Sequence, residues 1–201
     1  MKSLLFISIL LIICPRLISQ DDYKSQVADI RSKTSNHSKT GGLAEKYEYY
    51  YDYWSEREIK HGRISRWNKE GVLIYEANYT DNELDGLEEI FNEEGNLISS
   101  IDWKMGVKDG KEIKYYDSGG ERLIIPYKGG FKEGLEKSYY RSGRIKWVIT
   151  YREGKKEGAA NYFKKDGALK KSLIYKNGIK QKEKKEKKEK TPEKTAHEIT
   201  I

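Results

Sequence analysis

From Gly62 to Lys180 apolar and polar residues alternate in short runs, and the runs recur every 24 residues. Ile145, Trp147, Ile149 and Tyr151 alternate with Lys146, Val148 and Thr150; Leu73, Tyr75, Ala77 and Tyr79 alternate with Ile74, Glu76 and Asn78. A period of two is the signature of a strand, whose successive side chains point to opposite faces. Five residues into each unit stands an aromatic (Trp67, Phe91, Tyr115, Tyr139, Phe163), and twelve later another (Tyr79, Trp103, Tyr127, Tyr151, Tyr175). Both series are complete.

Glycines punctuate the runs on the same period. One set opens the units at Gly62, Gly86, Gly110, Gly134 and Gly158; a second falls at Gly71, Gly95, Gly119, Gly143 and Gly167; a third at Gly106, Gly130, Gly154 and Gly178. The one gap, Asn82, holds the non-glycine residue that best tolerates positive φ. Fourteen of the 18 glycines lie on this lattice, so they mark turns. Each unit therefore reads as strand, tight glycine turn, longer strand and a second glycine turn.

The fold class that follows is all-β: an elongated, single-layer antiparallel meander of tandem 24-residue hairpins, about ten strands in units 62–85, 86–109, 110–133, 134–157 and 158–180. One unit buries too few side chains to offset its own ordering entropy. Stability must come from neighbours sharing hydrogen bonds and rings along the array.

The pattern from Tyr139-Tyr140-Arg141-Ser142-Gly143 through Tyr151-Arg152-Glu153-Gly154-Lys155-Lys156-Glu157-Gly158 resembles the MORN-repeat variant family. The resemblance covers residues 62–180, and five units in register make it specific. It implies a non-catalytic binding or scaffolding module; many bacterial members are labelled antitoxins or immunity proteins of toxin systems. Two departures stand out: Asn82 in the first unit, and the Gly119-Gly120 doublet in the third, which leaves Glu121 where Leu97 and Ile145 stand. That third unit also places Pro126 in a strand. A proline removes one ladder donor, which predicts a bulge or break.

Met1–Ser19, with Lys2, an apolar run Leu4–Cys14 and Pro15-Arg16-Leu17-Ile18-Ser19, reads as a secretory signal peptide cut near Ser19. The run is too short to span a membrane. The alternative, a lipoprotein lipidated at Cys14, is disfavoured by Ile13, where a small residue is expected. Cys14 is the only cysteine, so a chain cut after Ser19 has no thiol, disulfide or thiolate metal site. Residues 20–45 are polar and read as a linker. Residues 46–61 carry Tyr47, Tyr49, Tyr51 and Tyr53 in strand alternation and read as a capping half-repeat.

Residues 181–201 form a Lys/Glu tail, disordered or at most a marginal helix. Lys180–Ile201 holds eight Lys and five Glu, and Met1–Ser19 adds Lys2 and Arg16. Of the formal charge of +7, only +2 therefore belongs to Gln20–Ile179. A nearly neutral array argues against nucleic acid, whose partners concentrate positive charge on the folded surface. Contact between the tail, or a lipidated Cys14, and an anionic membrane surface is the less favoured reading.

The chain offers no catalytic constellation. His37, His61 and His197 stand apart, without a nucleophile or carboxylate at motif spacing, and no metal or phosphate-loop pattern is present. No cofactor is expected, and the protein is read as a non-enzyme. Asp85, Asp109, Glu133 and Glu157 precede the opening glycines as ordinary turn pairs rather than as a cation ladder.

Functional promise lies in the aromatics. With all period-two sets in phase, Trp67, Tyr79, Phe91, Trp103, Tyr115, Tyr127, Tyr139, Tyr151, Phe163 and Tyr175 would line one side of the sheet, mostly as its core. Tyr75, Tyr116, Tyr140, Trp147 and Tyr162, off that lattice, are the candidate partner surface, because tyrosine and tryptophan concentrate at interface centres. The open edges offer a further place for a partner strand. The expected function is an exported binding or scaffold protein making protein contacts at the cell envelope. The alternative is an antitoxin or immunity protein that binds one cognate toxin.

Overall fold

The computed structural model describes residues 30–182. The leader Met1–Ser19, Cys14, residues 20–29 and the tail from residue 183 lie outside the described residues. The described chain is one sheet of fourteen antiparallel strands. They are β1 (Arg31–Asn36), β2 (Leu43–Asp52), β3 (Arg57–Trp67), β4 (Leu73–Thr80), β5 (Glu83–Phe91), β6 (Leu97–Lys104) and β7 (Val107–Tyr115), followed by β8 (Glu121–Lys128), β9 (Phe131–Lys132), β10 (Gly134–Tyr139), β11 (Ile145–Arg152), β12 (Lys155–Phe163), β13 (Leu169–Lys176) and β14 (Ile179–Lys180). Spatial order follows chain order throughout, except that β9 pairs β8 beside the main path.

Two kinds of turn alternate, and they give the sheet two unlike edges. At one edge the hairpin tips are three-residue loops: Asn68 N donates to Val72 O at 2.9 Å and Gly71 N to Asn68 O at 3.0 Å, with Gly71 at φ +81°. This is the type I turn closed by a left-handed residue. At the other edge the hairpin bases from β4 onward are two-residue turns with both φ values positive, such as Asp81 (+51°) with Asn82 (+70°) and Glu153 (+47°) with Gly154 (+75°). Asn82 thus holds a left-handed backbone where the other units have glycine. All fourteen lattice glycines have positive φ.

Neighbouring units are tied at the bases as well as along the strands. The amides of Asn82, Gly106, Gly130, Gly154 and Gly178 donate at 2.9 Å to the carbonyls of Lys60, Leu84, Lys108, Lys132 and Lys156, each 22 residues back. The turn carboxylates act in the same sense. Asp109 Oδ2 accepts from Gly129 N at 2.9 Å, Glu133 Oε2 from Glu153 N at 2.7 Å and Glu157 Oε2 from Asn177 N at 2.7 Å. Each unit caps the next turn, which is how a nearest-neighbour array is held.

Pro126 sits within the unbroken β8, and the break falls in the strand facing it. The strands β5, β7 and β12 each run unbroken for nine residues, but the equivalent stretch of the fourth unit splits at Glu133 into β9 and β10. Glu133 N reaches Pro126 O at 3.0 Å, while Pro126 has no N–H to return.

Three readings of the sequence are corrected. Residues 20–45 are not wholly a linker, since β1 and the start of β2 lie within them as a hairpin closed through His37 and Gly42. All six β1 residues are exposed, so this strand carries no alternation for a sequence to show. It is held by its ladder to β2 and by Lys33, whose ammonium lies 2.8 Å from the Glu58 carboxylate. Tyr53, read as part of the capping strand, lies in the turn between β2 and β3, 71% exposed.

The third correction concerns the faces. Register pairs Gly62 with Tyr79, Ile64 with Ala77 and Arg66 with Tyr75, so these residues share one face, which we name for Ile64. Trp67, one residue beyond Arg66, falls on the opposite face, and Tyr115 confirms the placement of its series by lying 3.2 Å from the Ser100 hydroxyl there. The ten lattice aromatics therefore divide: Tyr79, Trp103, Tyr127, Tyr151 and Tyr175 on the Ile64 face, Trp67, Phe91, Tyr115, Tyr139 and Phe163 on the other. The two series stand on alternate strands: Tyr79 of β4 pairs Gly62 of β3, and Trp67 lies five residues from Gly62, so alternation along β3 separates them.

Candidate interaction surfaces

The Ile64 face is built in three rows that cross the strands. Its central row runs Ile64, Ala77, Glu88, Ile101, Glu112, Ile125, Glu136, Ile149, Ala160 and Leu173. Ile64, Ala77 and Ala160 are fully buried, and Ile101, Ile125, Ile149, Glu112 and Glu136 are at most 8% exposed. With one layer of sheet among the described residues, that cover comes from the flanking rows of the same face.

On the base side the flanking row alternates cation and ring. Trp103 stands opposite Lys108, Tyr127 opposite Lys132, Tyr151 opposite Lys156 and Tyr175 opposite Lys180. Lys108 Nζ lies 5.7 Å from the Trp103 ring centre and 5.1 Å from that of Tyr127; Lys132 lies 4.9 Å from Tyr151 and Lys156 5.2 Å from Tyr175. Such contacts draw the lysine stems over the row below.

The buried carboxylates complete this arrangement. Glu112 accepts from Lys108 Nζ at 2.7 Å, with Lys114 Nζ at 3.4 Å, and Glu136 accepts from Lys132 Nζ at 2.6 Å. Indoles also contribute: Trp103 Nε1 donates to Glu88 at 2.9 Å and Trp147 Nε1 to Glu136 at 3.4 Å. Burial alone would push the Glu112 carboxyl up, but the Lys108 hydrogen bond and the Lys114 charge outweigh it and hold the group below the usual carboxylate range. The neighbouring phenols move the other way. Burial, reinforced by the Glu112 carboxylate, raises Tyr127 to about 12, and burial raises Tyr151 and Tyr162 as well.

The five candidate partner residues separate into two groups. Tyr75, Trp147 and Tyr162 lie on the Ile64 face, in the flanking row on the tip side, with Trp147 directly opposite Tyr162. Tyr75 belongs to the same row several strands away, beneath the Arg66 guanidinium at 4.8 Å. Its phenol is shifted upward by burial and by the Tyr79 hydroxyl at 3.4 Å. Tyr116 and Tyr140 lie instead at the hairpin tips, where their hydroxyls donate to the next tip, to Tyr139 O at 2.7 Å and Phe163 O at 2.8 Å. Two sites were thus merged in the sequence reading.

The residues around Tyr116 and Tyr140 went unremarked in the sequence. Arg141, Ser142, Arg144 and Lys165 line a cleft with them of about 580 Å³. The Glu88, Glu112 and Glu136 series was equally missed, although its 24-residue spacing is visible. Of the histidines, His37 Nε2 donates to Trp67 O at 2.9 Å at the first tip and His61 lies 3.4 Å from Asp81, with no nucleophile joined to either. Among the described residues no group of three or more metal-ligating side chains converges. No protein-family model and no curated protein matches the chain.

Proposed function

We propose that the protein is an exported, non-enzymatic binding or scaffold module of the MORN-repeat type, which holds protein partners against its sheet at the cell envelope. The observation that carries this reading is the Trp147–Tyr162 pair, two half-buried rings side by side on a face that no second layer covers among the described residues. Rings so placed present large, rigid apolar area with little conformational entropy to lose. Lys146 Nζ lies 5.1 Å from the Trp147 ring centre and Lys171 Nζ 4.5 Å from that of Tyr162, so a partner meets two rings bordered by cations. Export rests on the leader-like character of Met1–Ser19.

Capture from source cells tests the reading. Tagged chain 20–201 is expected to retain several envelope proteins, and Trp147→Ala/Tyr162→Ala to lose them while keeping its melting temperature within a few degrees. A single small protein held at one to one would replace this reading with the immunity alternative. Equal capture by both forms would remove the Ile64 face from it.

A further inference from the structure

The hairpin tips share one turn geometry but not one charge. In five successive tips the amide of Asn68, Asn92, Tyr116, Tyr140 or Lys164 donates to the carbonyl four residues on, within 2.8–2.9 Å, and a glycine closes the turn. The residues between vary freely: Lys69-Glu70 and Glu93-Glu94 at the early tips, Arg141-Ser142 and Lys165-Asp166 at the late ones. A cleft stands at each end of this edge. The early one gathers Glu70, Glu93 and Glu94 against the single cation Lys69 beside Trp67, and the late one gathers Arg141, Arg144 and Lys165 beside Tyr116 and Tyr140. Since the turns form either way, folding does not require the late tips to be basic.

Nor are these cations neutralised within the described chain. Arg141 reaches Asp117 only at 4.0 Å, with the two side chains 69% and 80% exposed, a pair worth little in water. Arg144 donates to the Lys165 carbonyl at 3.1 Å, which orients its guanidinium without cancelling its charge. Meanwhile both tyrosine rings are anchored through their hydroxyls to the following tip, and Arg141 lies 5.0 Å over the Tyr116 ring. Rings and guanidinium groups are preorganised, so a ligand meets a formed site.

We propose that this late-tip cleft binds an extended acidic segment of a protein partner; the proposal rests on the protein-binding reading above and assigns that partner a chemistry. Adjacent tips are two strands apart, about 10 Å; Arg141 leans back over the Tyr116 ring and Arg144 forward to the Lys165 carbonyl, so the cations are spread along the edge. A strand of carboxylates spans them. Guanidinium groups match carboxylates with paired hydrogen bonds, and the early tips, acidic on the same edge, repel the same segment and fix where it lies.

The test is fluorescence anisotropy of a labelled ten-residue polyglutamate on the chain 20–201 at low salt. Saturable binding is expected, weakened at least tenfold by Arg141→Ala/Arg144→Ala and also by Ser142→Glu, which sets a carboxylate on the rim. Lys104→Ala/Lys128→Ala removes equal charge from exposed positions on the opposite edge and should alter binding less than twofold. Equal loss in both double variants, no binding by the parent chain, or tighter binding of a ten-nucleotide oligothymidine would overturn the proposal. If polyglutamate fails while the Trp147→Ala/Tyr162→Ala pair still abolishes capture, only this inference falls and the proposed function stands.

Discussion

Lys108 Nζ donates to Glu112 Oε2 at 2.7 Å, four residues along β7, and Glu112 is 5% exposed. A carboxylate so enclosed is stable only with its charge matched. Glu112→Ala leaves the lysine unpaired and opens a gap between Ile101 and Ile125, for an expected loss of about 2–3 kcal/mol. Glu112→Leu, which continues the apolar row, should lose less. The pH dependence has a definite sign. The folded carboxyl titrates below its unfolded value, so its stabilisation is present above about pH 4.3 and is lost as pH falls through the folded value. Urea melts between pH 3 and 6 check this; Glu112→Gln should flatten part of the acid slope.

At the alkaline end the phenols govern. Tyr127 is raised to about 12 in the fold, so its contribution is complete below the unfolded value near 10 and is lost as pH rises from there through about 12. The chain should lose stability across that window, and Tyr127→Phe should lose less of it, measured by thermal melts from pH 9 to 12. An unchanged slope in that variant would mean that other tyrosines dominate.

The turn carboxylates give a prediction for the opposite edge. Asp109→Ala removes the acceptor of the Gly129 amide and should cost about 1 kcal/mol, and Asp109→Asn, which keeps an oxygen in place, less than half of that. Calorimetric melting temperatures separate the two. Equal losses would show that the charge, rather than the hydrogen bond, carries the effect.

Strand alternation and positive φ at turns are properties of a few adjacent residues, so the meander and its turns were legible in the sequence. What depended on pairing across strands was not. Trp67 and Tyr79 looked alike on a 24-residue lattice, yet register places them on opposite faces. β1 was hidden because its polar residues, Arg31–Asn36, are all solvent-facing and only β2 makes them a strand. Tyr116 and Tyr140 could be singled out as extra aromatics, but their role in clasping the next tip exists only once tips stack. Glu112 is polar by identity and buried by position. Composition alone points the wrong way there.

Two glycines that are equivalent in sequence should respond differently to the same substitution. Gly110 and Gly158 both open units, at φ +124° and +76°. A Cβ at Gly110 would stand 2.6 Å from both Cβ and Oδ2 of Asp102, whose carboxylate accepts the Lys111 amide at 2.8 Å and is not free to swing away. A Cβ at Gly158 meets nothing within 4 Å. Backbone strain of about 1 kcal/mol or more is common to both, but only Gly110→Ala must also displace a neighbour or break its hydrogen bond, adding about 1–2 kcal/mol. The expected order of thermal stability is parent, then Gly158→Ala, then Gly110→Ala. Equal melting temperatures for the two variants would mean that the Asp102 side chain yields at no cost, and the hydrogen bond to Lys111 would then count for little in holding β6 against β7.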